Sequence, residues 1–231
     1  MRRSLRVTTV ALALLALSAF GAASAMAQDP VKVAPDVYKV KLDNASVRVL
    51  EVTGRAGQKA PMHKHPGYVV YDLTDGSVKF TDAKGVTTEA AMKAGEATWR
   101  DAESHASEVV SDFHALLFEL KAPAGRAHSG GMAGGGADPM TADPAHFKVL
   151  LDNEHVRVLE FNAAAGDKIP MHWHPDYITY NFTGGTTTFT YPKAKPFKSV
   201  AKAGDVAWHK AENHAGLIGD GGAHVLLVEI K

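Results

Sequence analysis

Two pairs of histidines, each directly behind a Pro-Met dipeptide, have the residue type and spacing of metal ligands. The first pair is His63 and His65, and the second is His172 and His174. Because successive side chains of a β-strand point to opposite faces, the two histidines of each pair project to the same side of the strand. Two imidazoles on one face indicate a site for a metal ion.

A third histidine follows each pair about forty residues later in the chain. His105 comes after Trp99 in the first region, and His214 comes after Trp208 in the second. In both regions a glycine followed by an acidic residue precedes the tryptophan, which is typical of a tight turn between strands.

The histidines occur twice because most of the chain is an internal repeat. From Tyr38 onward the sequence matches itself at an offset of 109 residues, so that Val47–Glu51 matches Val156–Glu160. One extra residue near Asp220 moves the offset to 110 in the last strand. This level of self-similarity indicates a duplicated unit, and we expect two copies of one fold.

Short runs rich in Val, Leu, Tyr, Phe and Thr make up each copy. Gly, Asp, Asn and Pro divide these runs at roughly ten-residue intervals, which predicts an all-β sandwich or barrel. The strands predicted in the first copy cover residues 38–42, 47–53, 61–65, 68–74, 77–82, 87–92, 97–99, 105–110 and 114–120.

The spacing Gly-x5-His-x-His, with a glycine eleven residues after the second histidine and a later Gly-acidic turn and histidine, resembles the two signature motifs of the cupin superfamily. Both copies carry these motifs, so the chain is similar to a two-domain bicupin. The resemblance implies two tandem jelly-roll β-barrels, over residues 36–121 and 146–231. The Gly/Ala-rich segment 122–145 between them has almost no large apolar residue and is predicted to be a flexible linker.

The resemblance also implies a divalent transition metal, such as Fe, Mn, Zn, Ni or Cu, bound by three histidines per barrel. These ligand sets are His63, His65 and His105, and His172, His174 and His214. The cupin pattern has a glutamate three or four residues after the second histidine, where this chain has Val69-Val70 and Ile178-Thr179. Without that carboxylate, we expect a lower metal affinity or a different metal preference.

Tyr71 and Tyr180 are candidate catalytic residues. Counting by twos from Val69 predicts that both tyrosines face the barrel interior, where their hydroxyls could orient a ligand or a metal-bound water. The alternative is an aromatic core residue whose hydroxyl has a backbone partner.

The first 27 residues predict export. Three arginines precede the apolar run Val7–Phe20, and Ala25-Met26-Ala27 is a small-x-small cleavage site, so residues 1–27 are typical of a secretory signal peptide. The predicted location is periplasmic or secreted. Removing those arginines leaves 22 basic against 25 acidic residues, which indicates no affinity for nucleic acid or for a membrane. The absence of cysteine excludes disulfides and thiolate ligands.

Two classes of function remain open from the sequence. One is a metal-dependent enzyme, of the dioxygenase or isomerase type, that acts on a small organic molecule. The other is a non-catalytic bicupin that binds or senses a metal, a sugar or a small acid, or serves as a scaffold. Formation of a homo-oligomer is also left open.

Overall fold

The computed structural model describes residues 28–121 and 136–231. The predicted signal peptide and the part 122–135 of the predicted linker lie outside these described residues. Within the described ranges, no helix combines the length and the hydropathy needed to cross a membrane.

Each copy forms nine β-strands preceded by one short helix. In the first copy these are α1 (Pro30–Val33), β1 (Tyr38–Asp43), β2 (Val47–Gly54), β3 (Lys59–His65), β4 (Tyr68–Asp72), β5 (Gly76–Asp82), β6 (Thr87–Met92), β7 (Ala97–Arg100), β8 (Glu103–Ser111) and β9 (Phe113–Leu120). In the second copy they are α2 (Pro139–Ala142), β10 (Phe147–Asp152), β11 (Val156–Ala163), β12 (Lys168–His174), β13 (Tyr177–Asn181), β14 (Gly185–Thr190), β15 (Phe197–Ala201), β16 (Val206–His209), β17 (Glu212–Ile218) and β18 (Ala223–Ile230).

The strands of each copy form one five-stranded and one four-stranded antiparallel sheet. The orders are β1-β2-β9-β4-β7 with β3-β8-β5-β6, and β10-β11-β18-β13-β16 with β12-β17-β14-β15. All nine strands predicted in the first copy are present, with bounds that differ by a few residues. The all-β class and the two tandem jelly-roll barrels are thus confirmed. We call them barrel 1 and barrel 2.

Both faces of each five-stranded sheet carry buried apolar residues. One face packs inside its own barrel, where Leu50 and Leu117 in barrel 1 and Leu159 and Leu227 in barrel 2 belong to separate core clusters. The opposite faces of the two five-stranded sheets pack against each other and form a third cluster, shared by both barrels. Its buried members are Val47, Val49, Val69, Tyr71, Leu116, Phe118, Val156, Val158, Ile178, Tyr180, Leu226, Val228 and Ile230.

A lead-in segment precedes the first strand of each barrel, over residues 28–34 in barrel 1 and 137–143 in barrel 2. The Lys64 amide donates to the Gln28 carbonyl (3.0 Å), and the Trp173 amide donates to the Ala137 carbonyl (2.9 Å). These bonds attach each segment to β3 or β12. The lead-in segments, which precede the predicted domain starts at residues 36 and 146, thus pack on the barrels, and residues 137–143 of the predicted linker are among them.

Candidate metal centres

Strand pairing brings the three histidines of each copy together. His63 and His65 lie on β3, and His63 pairs in register with His105 on β8, next to a register shift after Ala60. In barrel 2, His172 on β12 pairs with His214 on β17 in the same way. All six side chains are buried, and the candidate ligand nitrogens within each triad lie within 4.8 Å of one another.

The first histidine of each pair is oriented by the proline two residues before it. The His63 Nδ1–H donates to the Pro61 carbonyl at 2.7 Å, and His172 donates to Pro170 at the same distance. A protonated Nδ1 leaves the lone pair on Nε2, so Nε2 is the nitrogen that can bind a cation. The Pro-Met-His sequence thus fixes the tautomer of a candidate ligand.

The second histidine of each pair is oriented by a buried carboxylate. His65 Nδ1 lies 2.7 Å from Glu119 Oε1, and Glu119 Oε2 accepts a hydrogen bond from Arg48 Nε at 2.5 Å. Although burial opposes ionisation, the hydrogen bonds with His65 and Arg48 hold the pKa of Glu119 below its usual range. Carboxylates hydrogen-bonded to the outer nitrogen of a histidine are the usual support of metal-binding imidazoles.

Barrel 2 repeats this support on its last strand. His174 Nδ1 lies 2.6 Å from Glu229 Oε1, and Arg157 Nε donates to Glu229 Oε2 at 2.5 Å. Glu119 and Glu229 are each only 1% exposed. Both glutamates were missed from the sequence. The available signal was a single charged residue inside an apolar strand, because charged side chains are almost never fully buried unless paired.

The buried imidazoles present unpaired nitrogens to the barrel interior. The Nε2 atoms of His65, His172 and His174 are buried and have no hydrogen-bond partner. Burial lowers the pKa of His63 and of His172 to about 4, so these imidazoles are neutral at physiological pH. Neutral imidazoles with uncommitted lone pairs fit a transition metal ion such as Zn, Cu, Fe or Ni. No carboxylate belongs to either three-histidine cluster among the described residues.

Next to the triad, the barrel 1 cavity contains a guanidinium group. Arg100 donates to Glu103 through Nε (2.6 Å) and Nη2 (3.1 Å), and its guanidinium lies 5.0 Å from the centre of the Phe80 ring. The Tyr68 hydroxyl also donates to Glu103, at 2.7 Å. The side chains that line this cavity include Arg100, Phe80, Tyr68, His65 and His105.

Barrel 2 has an imidazole where barrel 1 has that guanidinium. His209 lines the cavity with the second triad, stacks on Tyr177 at 4.5 Å, and places Nε2 3.1 Å from Thr179 Oγ1. Burial lowers the pKa of His209. His209 was not selected from the sequence, because it has no histidine counterpart in the first copy. The two cavities therefore differ in charge next to equivalent histidine triads.

The expectation that Tyr71 and Tyr180 face the barrel interior is wrong. Both side chains belong to the cluster between the two five-stranded sheets, and neither lines a barrel cavity. On β4 the cavity-lining residues are Tyr68, Val70 and Asp72. The residues of β4 that alternate with Val69 and Tyr71 therefore face the barrel interior. The hydroxyls of Tyr71 and Tyr180 lie in the contact between the barrels.

Among the comparisons with known proteins, only the one with solved structures gives matches, and these show the fold alone. No family model matches the sequence, and no curated protein matches it. Similar solved structures include a Cupin 2 conserved barrel domain protein from Leptotrichia buccalis, with 14% identity, a TM-score of 0.49, and 84% of this chain and 88% of that chain covered.

Two further structures are more similar in fold. AerE from Microcystis aeruginosa has 12% identity and a TM-score of 0.55, covering 84% of this chain and 97% of that chain. A single-residue variant of the oxalate decarboxylase of Bacillus subtilis has 12% identity and a TM-score of 0.58, covering 84% of this chain and 75% of that chain. At these identities the likeness shows the arrangement of the two barrels and nothing of their chemistry.

Proposed function

We propose that this chain, which has the fold of a tandem cupin, holds a divalent transition metal ion in each barrel and acts on a small organic molecule beside it. The observation that carries the proposal is the set of buried Nε2 atoms without partners, on imidazoles whose candidate ligand nitrogens lie within 4.8 Å of one another. One metal ion in each barrel would satisfy the unpartnered Nε2 of His65 in barrel 1 and those of His172 and His174 in barrel 2.

Three imidazole ligands leave coordination positions for water, oxygen or a substrate, and a metal so bound supplies Lewis-acid or oxygen-activating chemistry. The chain itself supplies orientation. Pro61 and Glu119 hold the rings of His63 and His65 at fixed angles, and the buried setting keeps bulk water away from them.

The substrate class favoured by barrel 1 is a small acid. Arg100 places a cation in the cavity, and its two hydrogen bonds to Glu103 leave further N–H groups on the guanidinium for an anionic ligand. One structure with the same fold is an oxalate decarboxylase, which is in keeping with such a substrate. Barrel 2, with His209 at this position, lacks the guanidinium.

Metal analysis of the protein, purified without a polyhistidine tag, tests the proposal. We expect about one transition metal ion per intact triad, and a rise in melting temperature when Mn, Fe, Zn or Ni is added to the metal-free protein. His63→Ala combined with His172→Ala should abolish both effects. A folded protein that neither retains nor responds to any of these metals would overturn the proposal.

A non-catalytic carrier or sensor is the second candidate function. It is favoured by the absence of the cupin carboxylate from both triads and by the position of Tyr71 and Tyr180 outside the cavities. Oxygen uptake and consumption of small acids, measured on the metal-loaded protein, separate the two candidates. Turnover that disappears in the double alanine variant would exclude the carrier.

Export is part of the proposal and rests on the sequence of residues 1–27. N-terminal sequencing of the protein from a bacterial periplasmic fraction should give Gln28 as the first residue. Recovery of the protein only from the cytoplasm, with its first residues still present, would contradict export.

A further inference from the structure

We infer that the two metal centres are unequal, and that barrel 2 binds a divalent metal ion more tightly because barrel 1 carries the hydroxyl of Tyr38. The inference rests on the proposed function, since it concerns the affinity of the same two triads. It assigns to Tyr38 a role in the distribution of metal between the barrels.

The aromatic rings beside the two triads are matched in position. The Tyr38 ring lies 5.3 Å from the His63 ring at an interplanar angle of 63°. The Phe147 ring lies 5.3 Å from the His172 ring at 67°. Tyr38 and Phe147 begin the equivalent strands β1 and β10, and they correspond in the internal repeat. The phenolic hydroxyl is therefore the main difference at this contact.

The Tyr38 hydroxyl is hydrogen-bonded to Nε2 of His63, the nitrogen that would bind a metal ion. The Nδ1–H of His63 is committed to the Pro61 carbonyl, so Nε2 carries the lone pair, and Tyr38 Oη lies 3.1 Å from it. With this tautomer the phenol donates the hydrogen bond. A metal ion entering barrel 1 must displace this donor from His63.

Barrel 2 has no such competitor within the described part of the chain. His172 Nε2 is buried without a hydrogen-bond partner, and an unsatisfied buried acceptor destabilises the metal-free state. Metal binding removes that cost at His172, whereas at the equivalent His63 it breaks a hydrogen bond. Both effects favour barrel 2, and one hydrogen bond corresponds to a difference in affinity on the order of tenfold.

The third histidine of each triad also favours tighter metal binding in barrel 2. His214 Nδ1 lies 3.0 Å from Glu212 Oε1, whereas His105 Nδ1 lies 3.5 Å from Glu103 Oε1. A carboxylate partner on the outer nitrogen raises the basicity of a ligand imidazole. The closer carboxylate therefore strengthens His214 as a ligand relative to His105.

Single-centre variants measure the two affinities separately. His172→Ala with His174→Ala leaves barrel 1, and His63→Ala with His65→Ala leaves barrel 2. Titration with Co²⁺ in competition with a chelator should give a dissociation constant on the order of tenfold lower for barrel 2. In these backgrounds, Tyr38→Phe should tighten barrel 1 and Phe147→Tyr should weaken barrel 2, each by a similar factor.

The full-length protein provides the same test without deleting ligands. Co²⁺ should bind in two resolved steps, and Tyr38→Phe should bring the two steps closer together. Tyr71→Phe is the matched control, because it removes a buried tyrosine hydroxyl that lies between the barrels, and it should leave both steps unchanged.

Equal affinities, a tighter barrel 1, or weaker binding in Tyr38→Phe would overturn the inference. The last result would mean that the Tyr38 oxygen is itself a metal ligand. If the folded protein binds no Co²⁺ at either centre, the proposed function fails as well, so the two failures are distinguishable.

Discussion

At the scale of the residue, Glu119 and Glu229 supply the negative charge that the triads themselves lack. Each carboxylate is buried and lies within 2.7 Å of the outer nitrogen of a candidate ligand. Each is also paired with an arginine, which stabilises its ionised form. In each barrel a buried carboxylate therefore lies one layer outside the candidate ligands.

Replacing Glu119 by glutamine should weaken metal binding in barrel 1 by roughly 10- to 100-fold. Glutamine keeps an acceptor for the His65 Nδ1–H but removes the charge that makes Nε2 a better donor to a metal. Calorimetric titration of the variant that retains only barrel 1 measures the change.

Glu51→Gln is the control for that measurement. Glu51 also accepts from a histidine, His114 at 2.9 Å, but that pair is not part of a triad. An unchanged affinity in Glu119→Gln, or an equal loss in Glu51→Gln, would contradict the role given to Glu119.

The buried triads also predict a pH dependence of the metal-free protein. Burial lowers the pKa of His63 and His172 to about 4 from 6.5, so below pH 6.5 the unfolded chain binds protons that the folded chain does not. Stability contributed by these residues is present above pH 6.5 and is lost as the pH falls toward 4. The loss is at most about 1.4 kcal/mol per pH unit for each histidine.

Urea unfolding of the chelator-treated protein between about pH 4 and 7 measures this slope. His63→Gln with His172→Gln removes both titrating groups and should flatten the dependence. Parallel curves for the variant and the parent protein would show that the two histidines do not cause it.

At the scale of the element, the lead-in segments join the start of each repeat to its metal centre. Asp29 caps α1 by accepting from the Val31 amide at 2.9 Å, and it also pairs with Arg48, the partner of Glu119. Asp138 does the same in barrel 2, capping α2 and lying 2.6 Å from Arg157. In each barrel, one aspartate thus caps the short helix and pairs with the arginine that binds the glutamate behind the triad.

Asp29→Ala should destabilise the protein by about 1–2 kcal/mol, because it removes both a helix cap and an ion pair to a partly buried arginine. Denaturant unfolding with a two-state fit measures the loss. Asp36→Ala, which changes an exposed aspartate of the following turn, should shift stability by no more than about 0.5 kcal/mol. Equal effects of the two substitutions would argue against the cap and ion pair as the cause.

At the scale of the whole molecule, the two barrels share a core. The cluster between the five-stranded sheets takes Val69 and Phe118 from barrel 1 and Ile178 and Val228 from barrel 2, all fully buried. The Trp99 and His155 rings stack across the same boundary at 4.4 Å. Because each barrel alone would expose this apolar face, we expect the two to unfold together.

Calorimetry should show a single unfolding transition for the parent protein. Ile178→Asp places an unpaired carboxylate in the shared core and should split the transition or lower stability by more than about 3 kcal/mol. Ile169→Ala is the matched control, since Ile169 lies in the barrel 2 core, and it should destabilise by about 2–5 kcal/mol without affecting the contact. Two transitions in the parent protein would contradict a cooperative unit.

The strands could be predicted because their signals are local. Alternating apolar residues and the turn residues between them depend on neighbours a few positions away, and all nine predicted strands of the first copy are present. The orientation of β4 could not be predicted. Its burial is nearly continuous from Tyr68 to Asp72, since one face meets the lumen and the other meets the second barrel, so alternation does not tell which face is inside. Tyr71 was placed on the wrong face for this reason.

The sequence by itself determined the repeat, the all-β class and the six histidines, because these follow from residue identity and spacing along the chain. Tertiary structure alone decided which groups surround those histidines. Glu119 stands 54 positions from His65, Tyr38 stands 25 positions from His63, and His209 meets Thr179 across a strand pair. Such contacts depend on strand order and register, which bring together residues that have no fixed relation in sequence.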